Sequence, residues 1–315
     1  MELQLVQSTT GLTGAPSYNS TGLVEQFILS TDIRPTSRIS YRKSLLLFFR
    51  WVDLKGYAIN RISIKELLEY KEKMLQEGLS SLTISSYLTA LRKFYSWLSS
   101  FTDYPNITQG LKLPKRKEGI QKIPLGAEKA RELLSYSSAS NNLRDTAILN
   151  LLVRTGLRTI EIVRANYGDI QIRNNKRILL VQRKGRDSKD SIVVLTDKTY
   201  KPIEAYLATR GKLTTGSPLF TSESPNNKGK RLTTRSISKI AKESLKAVGL
   251  SERSYTAHSL RHTAGTLAIN AGEKLERVQA MLGHSSPTTT QQYVKFALLS
   301  KRIEEPPEEA LDRLI

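Results

Sequence analysis

The sequence predicts a two-domain protein, mainly α-helical, with a small antiparallel β-sheet in its second half. Three observations carry this. A chain of 315 residues exceeds what one core usually serves. Apolar residues recur at helical spacing over most of its length. A proline-bearing basic stretch interrupts that pattern at Tyr104–Lys122. Residues 1–21 are polar, rich in Ser, Thr and Gly, and read as a flexible arm. Residues 22–105 form the first domain. Leu45, Leu46, Phe48, Phe49 and Trp51 make an apolar face over Ser37–Lys55, and a helix over Ile64–Gln76 opens at Ser63 with Glu66 three residues on. Leu88, Leu91, Phe94, Tyr95 and Leu98 define a third helix.

Residues 106–122, with Pro114 and the run Lys112, Lys115, Arg116 and Lys117, are expected to be a basic linker. Residues 123–300 form the second domain. Helical patterns cover Ala127–Tyr136 and Leu143–Arg154. Alternating stretches around Ile170–Ile172, Ile178–Val181 and Ile192–Leu195 give the sheet. Helices return at Lys198–Ala208, Thr234–Ala247, His258–Asn270, Leu275–Leu282 and Thr288–Phe296. Residues 301–315 form a tail whose amphipathic end carries Leu311, Leu314 and Ile315.

Composition narrows the function. There is no cysteine, which excludes disulfides, thiolate nucleophiles and cysteine-based zinc sites. The densest apolar run, Ala147–Leu157, is broken by Asn150 and Arg154, so no membrane partner is expected. The start lacks a signal-peptide layout, and a cytoplasmic, nucleoid-associated protein is expected. A formal net charge of +20 calls for a polyanionic partner. Residues 1–105 hold 12 Lys and Arg against 9 Asp and Glu, so +17 of the excess lies in the remainder. The linker cations are candidates to lie along a nucleic-acid backbone, and a solvated connector would have the same composition.

All three histidines fall in two short motifs, His258-Ser259-Leu260-Arg261-His262-Thr263 and Leu282-Gly283-His284, with Tyr293 nine residues after the last. Upstream stands Thr155-Gly156-Leu157-Arg158-Thr159-Ile160-Glu161, and the turn of the sheet carries Lys184-Gly185. Metal-independent phosphodiester cleavage would need these residue types. Planar guanidinium groups match the charge of the transition state. A hydroxyl nucleophile conserves the bond energy in a covalent intermediate. A lysine beside other cations can protonate the leaving oxygen. No acidic cluster near the histidines suggests a metal site, and no cofactor is expected.

In their order along the chain the four motifs resemble the signature of the tyrosine recombinases, the phage-integrase family, over about residues 22–300. The resemblance implies a SAM-like helical core-binding domain and a catalytic domain closing as a C-shaped clamp on double-stranded DNA. It implies that Tyr293 is the nucleophile, forming a 3′-phosphotyrosine, and that Arg158 and Arg261 grip the scissile phosphate. His258 would contact that phosphate and handle the tyrosine proton, His284 would complete the pocket, and Glu161 would orient its neighbours. Lys184 would be the general acid, with Lys189 a nearby competitor, because Arg183 stands where the family's hairpin often has Gly. The family works without metal or ATP, as a tetramer on paired recombination sites, through a Holliday junction. The free protein would be a monomer or weak oligomer, its tail would dock on a neighbouring protomer, and any accessory protein is unspecified.

Each residue has a plainer reading: Tyr293 as core packing, Arg158 and Glu161 as a helix ion pair, His258 as a helix cap, Lys184 as a solvated turn residue, and His262 as structural. Rival functions are a catalytically silent architectural DNA-binding protein and a type IB topoisomerase. No dedicated arm-type DNA-binding domain is expected before residue 22, which suits either a Xer-type resolver of chromosome or plasmid dimers or a mobile-element integrase. The polar arm and the variant hairpin favour the mobile element.

Overall fold

The computed structural model describes residues 20–115, 122–304 and 306–315. The expected arm at 1–21, up to residue 19, and the linker cations Arg116 and Lys117 lie outside the described residues. The chain divides into two compact units, Met1–Gly119 and Ile120–Ile315.

The first unit packs four helices, α1 (Ser20–Ser30), α2 (Pro35–Leu54), α3 (Ile64–Gln76) and α4 (Ser81–Leu98). The starts of α2, α3 and α4 have local causes. Pro35 opens α2 where its missing N–H leaves no gap. At α3 the Ser63 N–H donates to Glu66 and the Lys65 N–H to the Ser63 hydroxyl. Ser80 caps α4 by accepting from the Thr83 N–H at 3.1 Å. The core is aromatic, with Phe94 edge-on to Phe27 at 5.6 Å and to Phe49 at 5.4 Å.

The stretch 106–122, expected to be a basic linker, is packed onto the first unit as far as Leu113. Leu111 is buried in this aromatic core, its carbonyl accepts from Arg92, and Lys71 donates to the Lys112 carbonyl. The apolar residues among the prolines and lysines, Ile107, Leu111 and Leu113, draw the backbone onto the unit.

The second unit is built around α6 (Leu143–Thr155), which packs against α5 (Ala127–Ala139), α8 (Asp197–Ala208) and α10 (Ala257–Asn270). α6 tolerates Asn150 in its buried length because that amide donates to the Thr146 carbonyl and accepts from Arg154. After α7 (Thr159–Arg164) comes an antiparallel sheet of β1 (Ile170–Arg173), β2 (Lys176–Val181) and β3 (Ser191–Val194), in that order. Asn174 and Asn175, at φ +47° and +58°, close β1 onto β2 in a two-residue turn. Leu179 faces Ile170 on one side and Val193 on the other. α9 (Thr234–Ala247), α11 (Leu275–Leu282), α12 (Pro287–Glu304) and α13 (Pro307–Asp312) complete the unit.

The boundary near residue 300 differs from the sequence reading. α12 runs eight residues past Phe296, so the division expected at residue 300 falls inside a helix. Ala297, Leu298, Leu299, Lys301 and Arg302 are good helix formers, and no breaker intervenes before Pro306. α7 is short, and only Glu161 and Ile162 within it are buried.

Candidate active site

Two left-handed glycine caps place much of the site. Gly156, at φ +63°, ends α6 and turns the chain so that Arg158 becomes the N-cap of α7. Gly283, at φ +64°, ends α11 and delivers His284. A side chain at Gly156 would also collide with Leu282, 2.5 Å from the Cβ position. The two turns therefore press against each other.

Around them runs a network of three arginines. Glu161, wholly buried at the first turn of α7, accepts from the Arg158 backbone N–H at 2.9 Å and from its Nη1 at 2.8 Å. Its other partner is Arg183 Nη1 at 3.3 Å. Arg183 reaches on to the carbonyls of Met281 at 2.9 Å and Leu282 at 3.3 Å. The Leu282 carbonyl is shared: Arg261 Nη2 donates to it at 2.7 Å, and Arg261 Nη1 donates to the Gly156 carbonyl at 2.6 Å. Two cations thus pair with one carboxylate and a third, Arg261, joins them through the Leu282 carbonyl, a charge surplus that suits an anion. Burial, and then the charge of Arg158, hold the Arg261 guanidinium down to about 10, still charged at neutral pH.

Helix α10 sets His258 and His262 one turn apart, their rings 4.6 Å from centre to centre. His258 lies inside the helix and does not cap it; Thr256 is the N-cap, its N–H donating to the Ser259 hydroxyl. Surrounding protein atoms and then the charges of Arg261, Arg158, Lys122 and Lys184 keep its imidazole below the ordinary value, although the side chain is open to solvent. His284 is buried, and its Nδ1 pairs with the Thr290 hydroxyl at 2.9 Å.

Tyr293, on α12, is only 1% exposed. Its ring stacks on His284 at 5.8 Å and 8°, and lies 5.4 Å from His262. Gly265 leaves room for that ring, since a Cβ there would sit 3.0 Å from two of its atoms. Burial raises the phenol's pKa, while Arg261 and Arg158 and hydrogen bonding to Arg261 and Gln292 pull it back.

The structure therefore brings together Arg158, Glu161, His258, Arg261, His284 and Tyr293. Lys184, exposed on the β2–β3 loop, is near enough for its charge to act on His258. Lys189 is instead paired with the part-buried Asp169. Lys112 and Lys115 are exposed and belong to the first unit. Three residues escaped the sequence reading as site residues: Arg183, Thr290 and Lys122. Arg183 had a signal. The inward alternation of β2, Leu179 then Val181, continues to Arg183, and an inward arginine must find acceptors.

Burial, first, and neighbouring guanidinium groups push His284 down to about 3. Burial, then His258 and Arg261, push His262 down to about 4. Both are neutral when folded, whereas the unfolded chain takes up protons near pH ~6.5. Their contribution is fully present above that pH and is lost as the pH falls towards 4 and then 3. Urea unfolding at a series of pH values should show the midpoint falling below about pH 6.5. The double substitution His262→Gln and His284→Gln should flatten that fall; an unchanged slope would contradict the assignment.

An arginine-rich anion site beside a tyrosine hydroxyl, carried by a helical domain with a three-stranded sheet, defines the class of enzymes that transfer phosphodiester bonds through tyrosine. Residues 125–298 match the model of the Phage integrase family, and residues 22–100 match the Phage integrase N-terminal SAM-like domain. The chain belongs to the phage integrase family and is a site-specific tyrosine recombinase, a DNA strand-transferring enzyme. It is 29% identical to tyrosine recombinase XerD of Listeria monocytogenes serotype 4b, over 88% of this chain and 95% of that protein. It is 30% identical to tyrosine recombinase XerC of Corynebacterium glutamicum, over 75% of this chain and 74% of that one. Its fold is similar to that of XerH recombinase bound to palindromic difH substrate in a post-cleavage complex, with a TM-score of 0.71 and 20% identity over 92% of this chain and 85% of that one. It also resembles the Tn1549 transposon integrase in complex with transposon right end DNA, with a TM-score of 0.65 and 17% identity over 91% and 99%. Among the described residues no helix is long and apolar enough to cross a membrane.

Proposed function

We propose that this recombinase acts on double-stranded DNA at specific sites, cutting one strand with Tyr293 and rejoining it to a partner strand. The observation that carries the assignment is the Tyr293 ring stacked on His284, with Arg261 acting on its hydroxyl. The phenol oxygen attacks phosphorus and forms the 3′-phosphotyrosyl bond, while its proton passes to His258, neutral at pH 7. Arg158 and Arg261 hold the non-bridging oxygens. His284, its Nδ1 engaged by Thr290, turns Nε2 to the phosphate. The P–O5′ bond breaks, and the departing oxygen takes a proton from Lys184. A 5′-hydroxyl from the partner duplex reverses the steps. Because Tyr293 is buried, α12 has to shift for the phosphate to reach it.

Lys184 is the better general acid than Lys189, because a lysine held by Asp169 is not free to follow a leaving oxygen. Lys184→Ala should slow single-turnover cleavage by about 10²–10⁴-fold. Lys189→Ala should change it only a few-fold; the reverse ranking would move the acid to Lys189.

Lys112, Lys115, Arg116 and Lys117 are proposed to contact DNA phosphates, with affinity falling steeply as salt rises. The enzyme is proposed to work as a tetramer through a Holliday junction, residues 22–105 serving as core-binding domain and residues 123 to the end of α12 as catalytic domain. Leu311, Leu314 and Ile315, all exposed, suit the tail for docking on a neighbouring protomer. Removing residues 304–315 should weaken pairing of two sites more than binding to one. Equal loss of both in gel-shift assays would sink that role.

The setting we favour is a mobile genetic element. The length match to XerD of Listeria supports a second reading, resolution of chromosome or plasmid dimers. A reporter plasmid carrying the DNA from both sides of the encoding gene as direct repeats separates them. Excision of the intervening circle supports the element. Recombination only at a chromosomal site away from the gene supports the resolver.

A further inference from the structure

We propose that Arg183 is a positioning residue that fastens the Lys184 turn to the phosphate site, an inference that rests on Lys184 being the general acid. The loop between β2 and β3 is exposed from Lys184 to Ser188 and is held at two points. One end is tied by the pair of Lys189 with Asp169. Arg183 ties the other, and it is covalently next to Lys184, so what fixes its backbone fixes the base of the lysine side chain.

The tie is built for geometry. One guanidinium fork spans the Glu161 carboxylate of α7 and the Met281 and Leu282 carbonyls at the end of α11. Through Leu282 it shares an acceptor with Arg261, and through Glu161 it shares one with Arg158. The position of the loop is thereby referred to both phosphate-binding arginines. Nε of Arg183 is buried without a partner, lying against Gly283, where a Cβ would come within 2.5 Å of it. A buried cation with an unpaired donor is a poor way to fill space, since an apolar residue of similar volume would pack at least as well. Its fixed fork is what an apolar residue lacks.

The test compares two leaving groups. In ordinary DNA the electron pair of the broken P–O5′ bond goes to an oxygen that must be protonated. In DNA with sulfur at the bridging 5′ position, the P–S bond breaks and the thiolate departs without a proton. Arg183→Gly should slow single-turnover cleavage of ordinary DNA by about 10–100-fold, as a misplaced catalytic group does. On the sulfur substrate it should stay within about threefold of the parent enzyme, as removal of a proton donor predicts. Arg183→Lys, which keeps a charge near Glu161 but loses the fork, should show the same selective rescue, and it decides the matter if Arg183→Gly does not fold. Equal slowing on both substrates would overturn the proposal and leave Arg183 a structural brace. Lys184→Ala is the control: if sulfur does not rescue it, the reading of Lys184 as acid fails, whatever Arg183 does.

Discussion

Tyr293→Phe is expected to abolish covalent attachment to DNA while leaving DNA binding unchanged. The substitution removes one oxygen and keeps the ring, so its stacking on His284 and its fit against Gly265 persist. Stability should change little, because relief from burying a hydroxyl offsets the loss of its hydrogen bonding to Arg261. The chemistry has no substitute, since the covalent step needs that oxygen. Cleavage should fall by at least on the order of 10⁴-fold, beneath detection in a single-turnover assay. A residual rate within tenfold of the parent would remove Tyr293 as the nucleophile.

The second large effect is expected at Arg261, where stability and catalysis meet. Arg261→Ala deletes a side chain at 1% exposure, orphans the Gly156 carbonyl and leaves the Leu282 carbonyl only its 3.3 Å bond from Arg183. One orphaned acceptor, one weakened acceptor and a cavity together cost about 3–5 kcal/mol, readable as a drop in the urea midpoint. The same change removes a charge from the transition state, lowering cleavage by about 10²–10³-fold beyond any loss of folded protein. Arg261→Lys tests the shape of the group. It restores the charge, but one ammonium cannot span both carbonyls, so cleavage should recover only in part. Weakened DNA affinity with an unchanged cleavage rate would contradict a role in the transition state.

Much of the architecture is legible in sequence because its causes are local. The Ser63–Glu66 capping box, the proline opening α2 and the alternation of the three strands each act over a few residues. The site is legible for another reason: its motifs sit at tight turns and on one helix, so Gly156 and Gly283 mark where Arg158 and His284 will emerge. What escapes is what depends on distant partners. Leu111 looks like part of a basic connector until the aromatic core it joins is known. Lys184 and Lys189 are equivalent in the turn until Asp169, twenty residues upstream of Lys189, claims one of them. Arg183 reads in sequence only as a departure from a motif. Its acceptors lie in α7 and at the end of α11, the latter 98 and 99 residues away.

The most direct test of the account is to find which atom the DNA is joined to. The parent enzyme should be trapped on nicked duplexes drawn from the DNA flanking its gene, digested with trypsin and nuclease, and read by mass spectrometry. A nucleotide is expected on the peptide spanning residues 278–295, attached at Tyr293. Attachment at any other residue, or cut DNA with no protein bound to it, would contradict it.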